Sequence, residues 1–177
     1  MTGATLPRSR RRRAPALSPW GRWLMWAIPL VVVVGTRLLA PQALPGHSRT
    51  AVVERAVDGD TVKLVGGERV RYIGVDTPEL HHPSKPVQPY AREAWAFNRR
   101  LVEGRTVRLE FDVQTYDKYS RTLAYVYLED GTFVNAELLR QGYARIFTIP
   151  PNVRHQEALL ALEREARIQR RGLWARR

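Results

Sequence analysis

Three short runs of this sequence place acidic side chains and arginines beside predicted turns or strand ends. Asp60 follows an Asp-Gly turn at the head of one predicted strand, and Asp76 ends another. Two carboxylates at neighbouring strand ends can converge on one hard cation, and oxygen ligands favour Ca²⁺ or Mg²⁺ over zinc or iron. The Thr77 carbonyl is free to turn inward, because Pro78 cannot continue a strand ladder. Taken alone, the Asp-Gly pair is more typical of a simple hairpin turn.

The same runs hold a third carboxylate and two arginines. Glu79 lies just past the strand, where it could orient or deprotonate a water near a bound phosphate; by itself it is typical of a solvated loop acid. Arg121 carries its donors in a fixed fork that suits a phosphate. Arg71 begins the strand that Asp76 ends, and ideal alternation puts them on opposite faces unless the strand bends or bulges. A metal, a water-directing carboxylate and cationic clamps are together what phosphodiester cleavage requires.

Positive charge is distributed unevenly along the chain. The net charge of the 177 residues is +12. Residues 1–50 carry eight arginines and no acid, whereas residues 51–177 carry 21 Lys and Arg against 17 Asp and Glu. The second segment is only mildly basic, so its charge alone is a weak argument for nucleic-acid binding. The chain has no cysteine, which excludes disulfides, thiolate metal sites and cysteine nucleophiles.

The N-terminal residues predict a membrane anchor. A basic tail, residues 1–22, precedes an apolar stretch at 23–40 that nearly reaches the roughly 20 residues of a spanning helix. Arg22 and Arg37 would extend to the interfaces, and the arginine-rich tail predicts a cytoplasmic N-terminus with the remainder extracytoplasmic. Proline and glycine mark residues 41–50 as a linker. A cleaved signal peptide, giving a secreted protein, is the alternative, although a good cleavage site is missing.

Residues 51–177 contain strand and helix patterns separated by Gly and Pro turns. Alternation and β-branched content predict five strands, at 50–53, 61–65, 68–75, 107–111 and 123–128. Helical spacing predicts three helices, the first through Tyr90, Ala94, Phe97 and Leu101. The second runs from Asn135 as its N-cap to Gly142 at C′. The third runs through Leu159, Leu162 and Ala166 and carries a solvent-facing Glu163/Arg167 pair. The order predicts a mainly β, α+β domain: a five-stranded OB-type barrel with three packed helices, or else a mixed open sheet.

Residues 51–177 resemble the staphylococcal nuclease (thermonuclease) family along nearly their whole length. The resemblance is carried in order by Val57-Asp58-Gly59-Asp60-Thr61, Arg71 through Glu79, His82-Pro83, Tyr90, Phe97, Asp117 through Arg121, Leu123-Ala124-Tyr125, Val134-Asn135, Arg140-Gln141-Gly142 with Ala144, and Leu173-Trp174. It implies an OB-fold barrel with three helices and Ca²⁺-dependent hydrolysis of DNA and RNA. The expected partner is therefore nucleic acid as substrate, beside the membrane, and we expect a monomer.

The resemblance also implies roles for individual residues. By matching positions, Asp60 and Asp76 are the Ca²⁺-binding carboxylates, and Thr77 supplies a backbone carbonyl. Glu79 matches the proposed general base. Arg71 and Arg121 match the two arginines that bind the scissile phosphate. For Arg71, the resemblance therefore implies a place in the site, although strict alternation puts it on the opposite face from Asp76. Lys118 and Tyr119 match positions that contact the nucleotide.

One segment departs from the family pattern. Thr148 and Pro150 stand where the type member has two tyrosines near the nucleotide base. Stacking of a base on an aromatic ring contributes about 1–3 kcal/mol. We therefore predict weaker binding or a different substrate preference, with catalysis retained. The alternative to a nuclease is a catalytically weak nucleic-acid-binding or protein-interaction module on the same barrel.

Overall fold

A computed structural model of the chain describes Met1 and residues 47–81 and 86–175. The predicted basic tail, the membrane-spanning helix at 23–40 and most of the predicted linker lie outside the described residues and stay predictions. In the described part of the chain, no helix is long and apolar enough to cross a membrane.

The described residues form seven strands, three α-helices and one short 3₁₀ helix. The strands are β1 (Ser48–Asp58), β2 (Thr61–Leu64), β3 (Arg69–Tyr72), β4 (Gly74–Asp76), β5 (Thr106–Glu110), β6 (Thr122–Leu128) and β7 (Arg145–Phe147). The helices are α1 (Ala91–Val102), α2 (Val134–Arg140), α3 (Gln156–Ile168) and the 3₁₀ helix Gly172–Trp174.

Five of the strands close into a barrel in the order β1-β2-β3-β6-β5. Strands β3 and β6 pair in parallel, and the other barrel pairs are antiparallel. Strand β1 pairs with both β2 and β5, and register shifts after Val53 and Ala56 mark irregularities at which the strand can bend. The prediction of a five-stranded barrel with three helices is confirmed, and the mixed open sheet is wrong.

The barrel and the helices share one apolar core. Alternate residues of the strands, including Val62, Leu64 and Leu109, are almost fully buried. Leu138 of α2 and Leu159 of α3 belong to the same cluster, so helix packing and barrel closure stabilise each other. This single core fixes the positions of the strand ends that carry the acids and arginines.

Strands β4 and β7 form a separate two-stranded antiparallel sheet that the sequence patterns do not predict. The predicted continuous strand at 68–75 is wrong, because the chain turns at Ile73–Gly74 between β3 and β4. Gly74 has a φ of 80°, a conformation that other residues rarely adopt. A Cβ at this position would also lie 2.6 Å from Leu159 Cδ1. The turn therefore requires glycine and carries Asp76 out of the barrel.

Two local predictions about the helices are wrong. Phe133, not Asn135, precedes α2, and Asn135 is fully buried within the helix. Its side chain accepts a hydrogen bond from Val126 N at 3.0 Å and donates one to Ile73 O at 2.8 Å, so it holds the turn before β4. Glu163 is only 3% exposed rather than solvent-facing, because Ile146 N of β7 donates to its carboxylate.

The predicted end of α2 is confirmed. Gly142 follows the C-cap residue Gln141 with a φ of 73°, the left-handed conformation that commonly terminates a helix.

Candidate active site

One cleft of about 590 Å³ lies at the strand ends of the barrel beside the β4–β7 sheet. All eight residues selected from the sequence line it: Asp60, Arg71, Asp76, Thr77, Glu79, Lys118, Tyr119 and Arg121. Further lining residues that the sequence reasoning did not select include Asp58, Gln114, Asp117, Phe147, Ile149 and Asn152. Asp58 and Asp117 belong to motifs already singled out by their charge, so the same signal could have found them. Phe147 and Ile149 flank Thr148 in the segment that departs from the family pattern, whereas Gln114 and Asn152 carry no such signal, because only the fold brings them to the cleft.

Asp60 is the most enclosed carboxylate of the cleft, with a side chain only 8% exposed. Its Oδ2 accepts hydrogen bonds from Thr77 N at 2.7 Å and Thr77 Oγ1 at 2.8 Å. Thr61 Oγ1 donates to the other oxygen at 3.1 Å. Gly59 makes this approach possible, because a Cβ there would lie 2.6 Å from Thr77 Oγ1. The Asp-Gly turn therefore does more than close a hairpin: it brings β2 and the end of β4 together.

Arg71 joins the two predicted metal-binding carboxylates. The register of β2 and β3 pairs Arg71 with Thr61, the residue after Asp60. One guanidinium nitrogen, Nη1, lies 3.1 Å from Asp60 Oδ2 and donates to Val75 O at 2.8 Å. The other, Nη2, donates to Asp76 Oδ1 at 2.9 Å. The bend that strict alternation required is present, since the turn between β3 and β4 brings Asp76 back to Arg71.

Negative charge exceeds positive charge around this pair. Burial raises the pKa of Asp76, and the charges of Asp60 and Glu79 raise it further against the opposing effect of Arg71. Burial likewise raises the pKa of Asp58 to about 7 against the lowering effect of the hydrogen bond from Gly59 N, and Asp60 and Glu79 raise it further. These carboxylates repel one another when ionised, and a bound cation would relieve that repulsion. The cluster is therefore an environment that stabilises a cation.

Glu79 has a fixed backbone and an exposed side chain at the cleft. Its N–H donates to Gln88 Oε1 at 3.1 Å, and its carbonyl accepts from Gln88 N at 3.1 Å. Both contacts use only the backbone of Glu79, so they hold the residue at the rim and leave the carboxylate facing the cleft.

Arg121 is positioned by Asp117 in the connection between β5 and β6. Asp117 accepts hydrogen bonds from Tyr119 N at 2.8 Å, Arg121 N at 2.9 Å and Arg121 Nε at 2.7 Å. Burial works against the ionised carboxylate, but these donors outweigh it and lower the pKa of Asp117. The guanidinium of Arg121 lies 5.5 Å and Lys118 Nζ lies 5.0 Å from the centre of the Tyr119 ring, which is 67% exposed. One loop thus presents two cations and an aromatic ring to the cleft.

The donor chemistry suits a hard divalent cation. Asp60 and Asp76 provide carboxylate oxygens and Thr77 a backbone carbonyl, with no sulfur or imidazole in the set. Among the described residues, no group of three or more His, Cys, Asp or Glu side chains is placed to hold a metal ion. A bound ion would therefore take part of its coordination from water or substrate, which is common for Ca²⁺ and Mg²⁺.

The sequence profile of the family described as "Staphylococcal nuclease homologue" matches residues 69–176, more than half of the chain. This chain belongs to the staphylococcal nuclease family. It is 38% identical over 161 residues to a thermonuclease of Staphylococcus intermedius, covering 86% of this chain and 95% of that protein. It is 40% identical over 132 residues to a thermonuclease of Staphylococcus hyicus, covering 73% of this chain and 78% of that protein. It is also 40% identical over 129 residues to endonuclease YncB of Bacillus subtilis, covering 70% of this chain and 61% of that protein. The family resemblance is confirmed.

Proposed function

We propose that this chain is a calcium-dependent nuclease that hydrolyses phosphodiester bonds of DNA or RNA with little sequence preference. The observation that carries the proposal is the Arg71 guanidinium bridging Asp60 and Asp76 in the cleft that Glu79 and Arg121 also line. Staphylococcal nuclease relatives named thermonuclease and endonuclease support it.

Ca²⁺ would be held by the carboxylates of Asp60 and Asp76 and the carbonyl of Thr77. When bound, it would supply a Lewis acid to a phosphoryl oxygen. Thr77 N and Oγ1 hold Asp60 in place through two hydrogen bonds, so this carboxylate needs little reorganisation when a cation arrives.

Glu79 directs the attacking water. Its carboxylate accepts a proton from the water as the water oxygen bonds to phosphorus; the bond from phosphorus to the leaving oxygen then breaks, and that oxygen takes up a proton from solvent. Anchoring of the backbone by Gln88 sets the position of Glu79, while the exposed side chain can reach a solvent molecule in the cleft.

Arg71 and Arg121 neutralise the charge that develops on the phosphate oxygens. Each is already held by a carboxylate, Arg71 by Asp60 and Asp76, and Arg121 by Asp117. The contact through Nε orients the Arg121 fork before substrate binds, and removal of one such donor typically costs about 2.7–4 kcal/mol of transition-state stabilisation. Contacts of this kind are made to phosphate, which carries no base identity, so little sequence preference is expected.

The test is cleavage of single-stranded DNA by the full-length protein with Ca²⁺ or with excess EGTA. We expect cleavage to require Ca²⁺, and Glu79→Gln to lower turnover at least a hundredfold. Glu129→Gln is the matched control, since Glu129 is exposed and does not line the cleft. Metal-independent binding without cleavage would instead support the binding-module alternative. Equal activity of the Glu79→Gln and wild-type proteins, free of host nuclease, would refute the mechanism.

We further propose that residues 23–40 anchor the protein in the membrane as a monomer, with the nuclease domain outside the cytoplasm. The arginine-rich tail before an apolar stretch supports this orientation. Protease added to spheroplasts should degrade the domain of the membrane-bound protein. Full protection in spheroplasts, with degradation after lysis, would place the domain in the cytoplasm and overturn the proposal.

A further inference from the structure

Three cations stand side by side on the outer face of the barrel, across strands β1, β2 and β3. The register of β2 and β3 pairs Lys63 with Arg69, and the register of β1 and β2 pairs Lys63 with Arg55. Directly paired residues stand on the same face of a sheet. Their neighbours Val62 and Val70 are fully buried, so the three cations face outward. This basic row comprises Arg55, Lys63 and Arg69.

The basic row lies beside the cleft. Two residues along β2 and β3 from Lys63 and Arg69, the register pairs Thr61 with Arg71. Both of these residues line the cleft. Two strand residues span about 7 Å and lie on the same face, so Arg69 follows Arg71 on the outer face of β3. A nucleic-acid backbone that leaves the cleft over Arg71 therefore meets the basic row next.

Arg121 extends the same row on the other side of β3. Val70 of β3 pairs in parallel with Thr122 of β6, and both side chains are buried. One residue earlier in each segment, Arg69 is therefore level with Arg121, which lines the cleft as a predicted phosphate clamp. Neighbouring strands lie about 4.8 Å apart, so the four cations from Arg121 to Arg55 extend over about 14 Å.

Acidic side chains only partly balance the basic row. The Glu54 carboxylate lies 2.8 Å from Lys63 Nζ and 4.0 Å from Arg55 Nε. Glu68, the acid that precedes Arg69, pairs instead with an arginine of β1 outside the row. Residues 51–177 are only mildly basic, so this concentration of charge does not follow from composition. Like charges directly opposite each other destabilise a sheet, and a bound polyanion would relieve that repulsion.

We propose that the basic row binds the phosphate backbone of the substrate strand beyond the scissile phosphate. The proposal rests on the nuclease function above, because the scissile phosphate would lie at Arg71 and Arg121. Contacts to phosphate carry no base identity, so the row adds affinity without sequence preference. A strand long enough to extend from the cleft over the row gains contacts that a dinucleotide lacks. The protein should therefore favour long strands over short ones.

The test measures binding to the full-length protein by fluorescence anisotropy, without Ca²⁺ and over a range of salt concentrations. The probe is a labelled thymidine strand of about 12 nucleotides, within the site sizes of single OB folds. The variants are Arg69→Gln, Arg69→Lys and a triple variant that also carries Arg55→Gln and Lys63→Gln. Arg164→Gln is the matched control, because Arg164 is exposed on α3 and does not line the cleft. Cleavage of this strand and of a thymidine dinucleotide is measured in parallel with Ca²⁺.

Each phosphate contact to a single strand contributes about −0.7 to the slope of log K against log salt concentration. Arg69→Gln should therefore make the slope shallower by about 0.7, and the triple variant by about 2. Arg69→Lys and Arg164→Gln should leave the slope unchanged. Between about 50 and 200 mM salt, the wild type should lose about 20-fold more affinity than the triple variant.

Two further readouts separate binding by the row from a structural role. The triple variant should raise KM for the long strand, while the turnover number and KM for the dinucleotide should change little. The urea midpoint of Arg69→Gln should not fall, because this change removes a like-charge pair with Lys63.

Equal salt slopes for the triple variant and the wild type would overturn the proposal. Equal changes of slope in Arg69→Gln and Arg164→Gln would also overturn it, because they would show an effect of total charge. A KM raised equally for the long strand and the dinucleotide would place the effect in the cleft and would refute the row. If the wild type cleaves neither strand, the nuclease proposal fails by itself, and the salt slopes still decide whether the row binds a nucleic-acid backbone.

Discussion

Asp117 holds Arg121, a predicted catalytic residue, in position, although Asp117 itself is not predicted to contact the substrate. Its Oδ1 accepts from the backbone N–H groups of Tyr119 and Arg121, and its Oδ2 accepts from Arg121 Nε at 2.7 Å. Asp117→Asn keeps the shape and an oxygen for the two backbone donors. It replaces Oδ2 with an amide that donates, so the Arg121 side chain faces a donor where it had a charged acceptor.

The expected size of the effect follows from these contacts. A hydrogen bond between charged groups contributes about 1.5–3 kcal/mol, and the partial exposure of this pair brings the expected stability loss to about 1–2 kcal/mol. The guanidinium of Arg121 remains in the protein but loses its orientation. We therefore expect about a tenfold drop in turnover, well short of the 10²–10³-fold loss that accompanies complete removal of such a donor.

The lowered pKa of Asp117 gives a pH signature. A carboxyl group with a lower pKa in the folded state than its unfolded value near 3.9 stabilises the protein above that value. This stabilisation disappears as the pH falls through the folded-state pKa. The stability difference between wild type and Asp117→Asn should therefore be full at pH 7, shrink below about pH 4 and disappear in stronger acid.

Urea denaturation followed by tryptophan fluorescence at several pH values measures the stability difference, and steady-state cleavage measures turnover. Asp130→Asn is the control, because Asp130 also accepts a hydrogen bond in a turn, from Thr132 N, but does not line the cleft. A turnover within twofold of wild type, in a variant that shows the stability loss, would refute the argument that Asp117 positions Arg121.

Two further predictions test the backbone beside the cleft. Gly74→Ala should destabilise the protein by at least about 1 kcal/mol, because Gly74 has a φ of 80° and an added Cβ would contact Leu159. The same change should lower activity by moving Asp76. An unchanged urea midpoint would contradict this prediction. Thr148→Val should raise stability by up to about 1 kcal/mol, since it replaces a buried hydroxyl that has no partner with a methyl group. A lower urea midpoint for Thr148→Val would show that this hydroxyl is hydrogen-bonded in solution.

Some of the site could be selected from the sequence because its signals are local. Asp60 after an Asp-Gly turn, Asp76 at a strand end and Glu79 beyond it were recognisable from residue types and spacing. The helix end at Gly142 was also predictable, because a left-handed C′ residue depends on the last turn of its own helix.

Other polar residues were misplaced because their partners are distant in sequence. Asn135 was predicted as a helix cap, yet its side chain binds Ile73 O, 62 residues away. Glu163 was predicted to face solvent, yet it accepts from Ile146 N, 17 residues away. A buried polar residue requires a partner, and sequence spacing does not show which distant group supplies it.

The sequence by itself determined the chemistry available to this protein: oxygen ligands for a hard cation, a carboxylate for water, arginines for phosphate, and the family to which the chain belongs. Only the tertiary structure decided how these groups meet. Alternation along one strand separates Arg71 from Asp76, and they join because Gly74 turns the chain where Leu159 and β7 pack against it. Strand pairing and helix packing join residues far apart in the chain, and local periodicity identifies strands and helices without showing which of them pair.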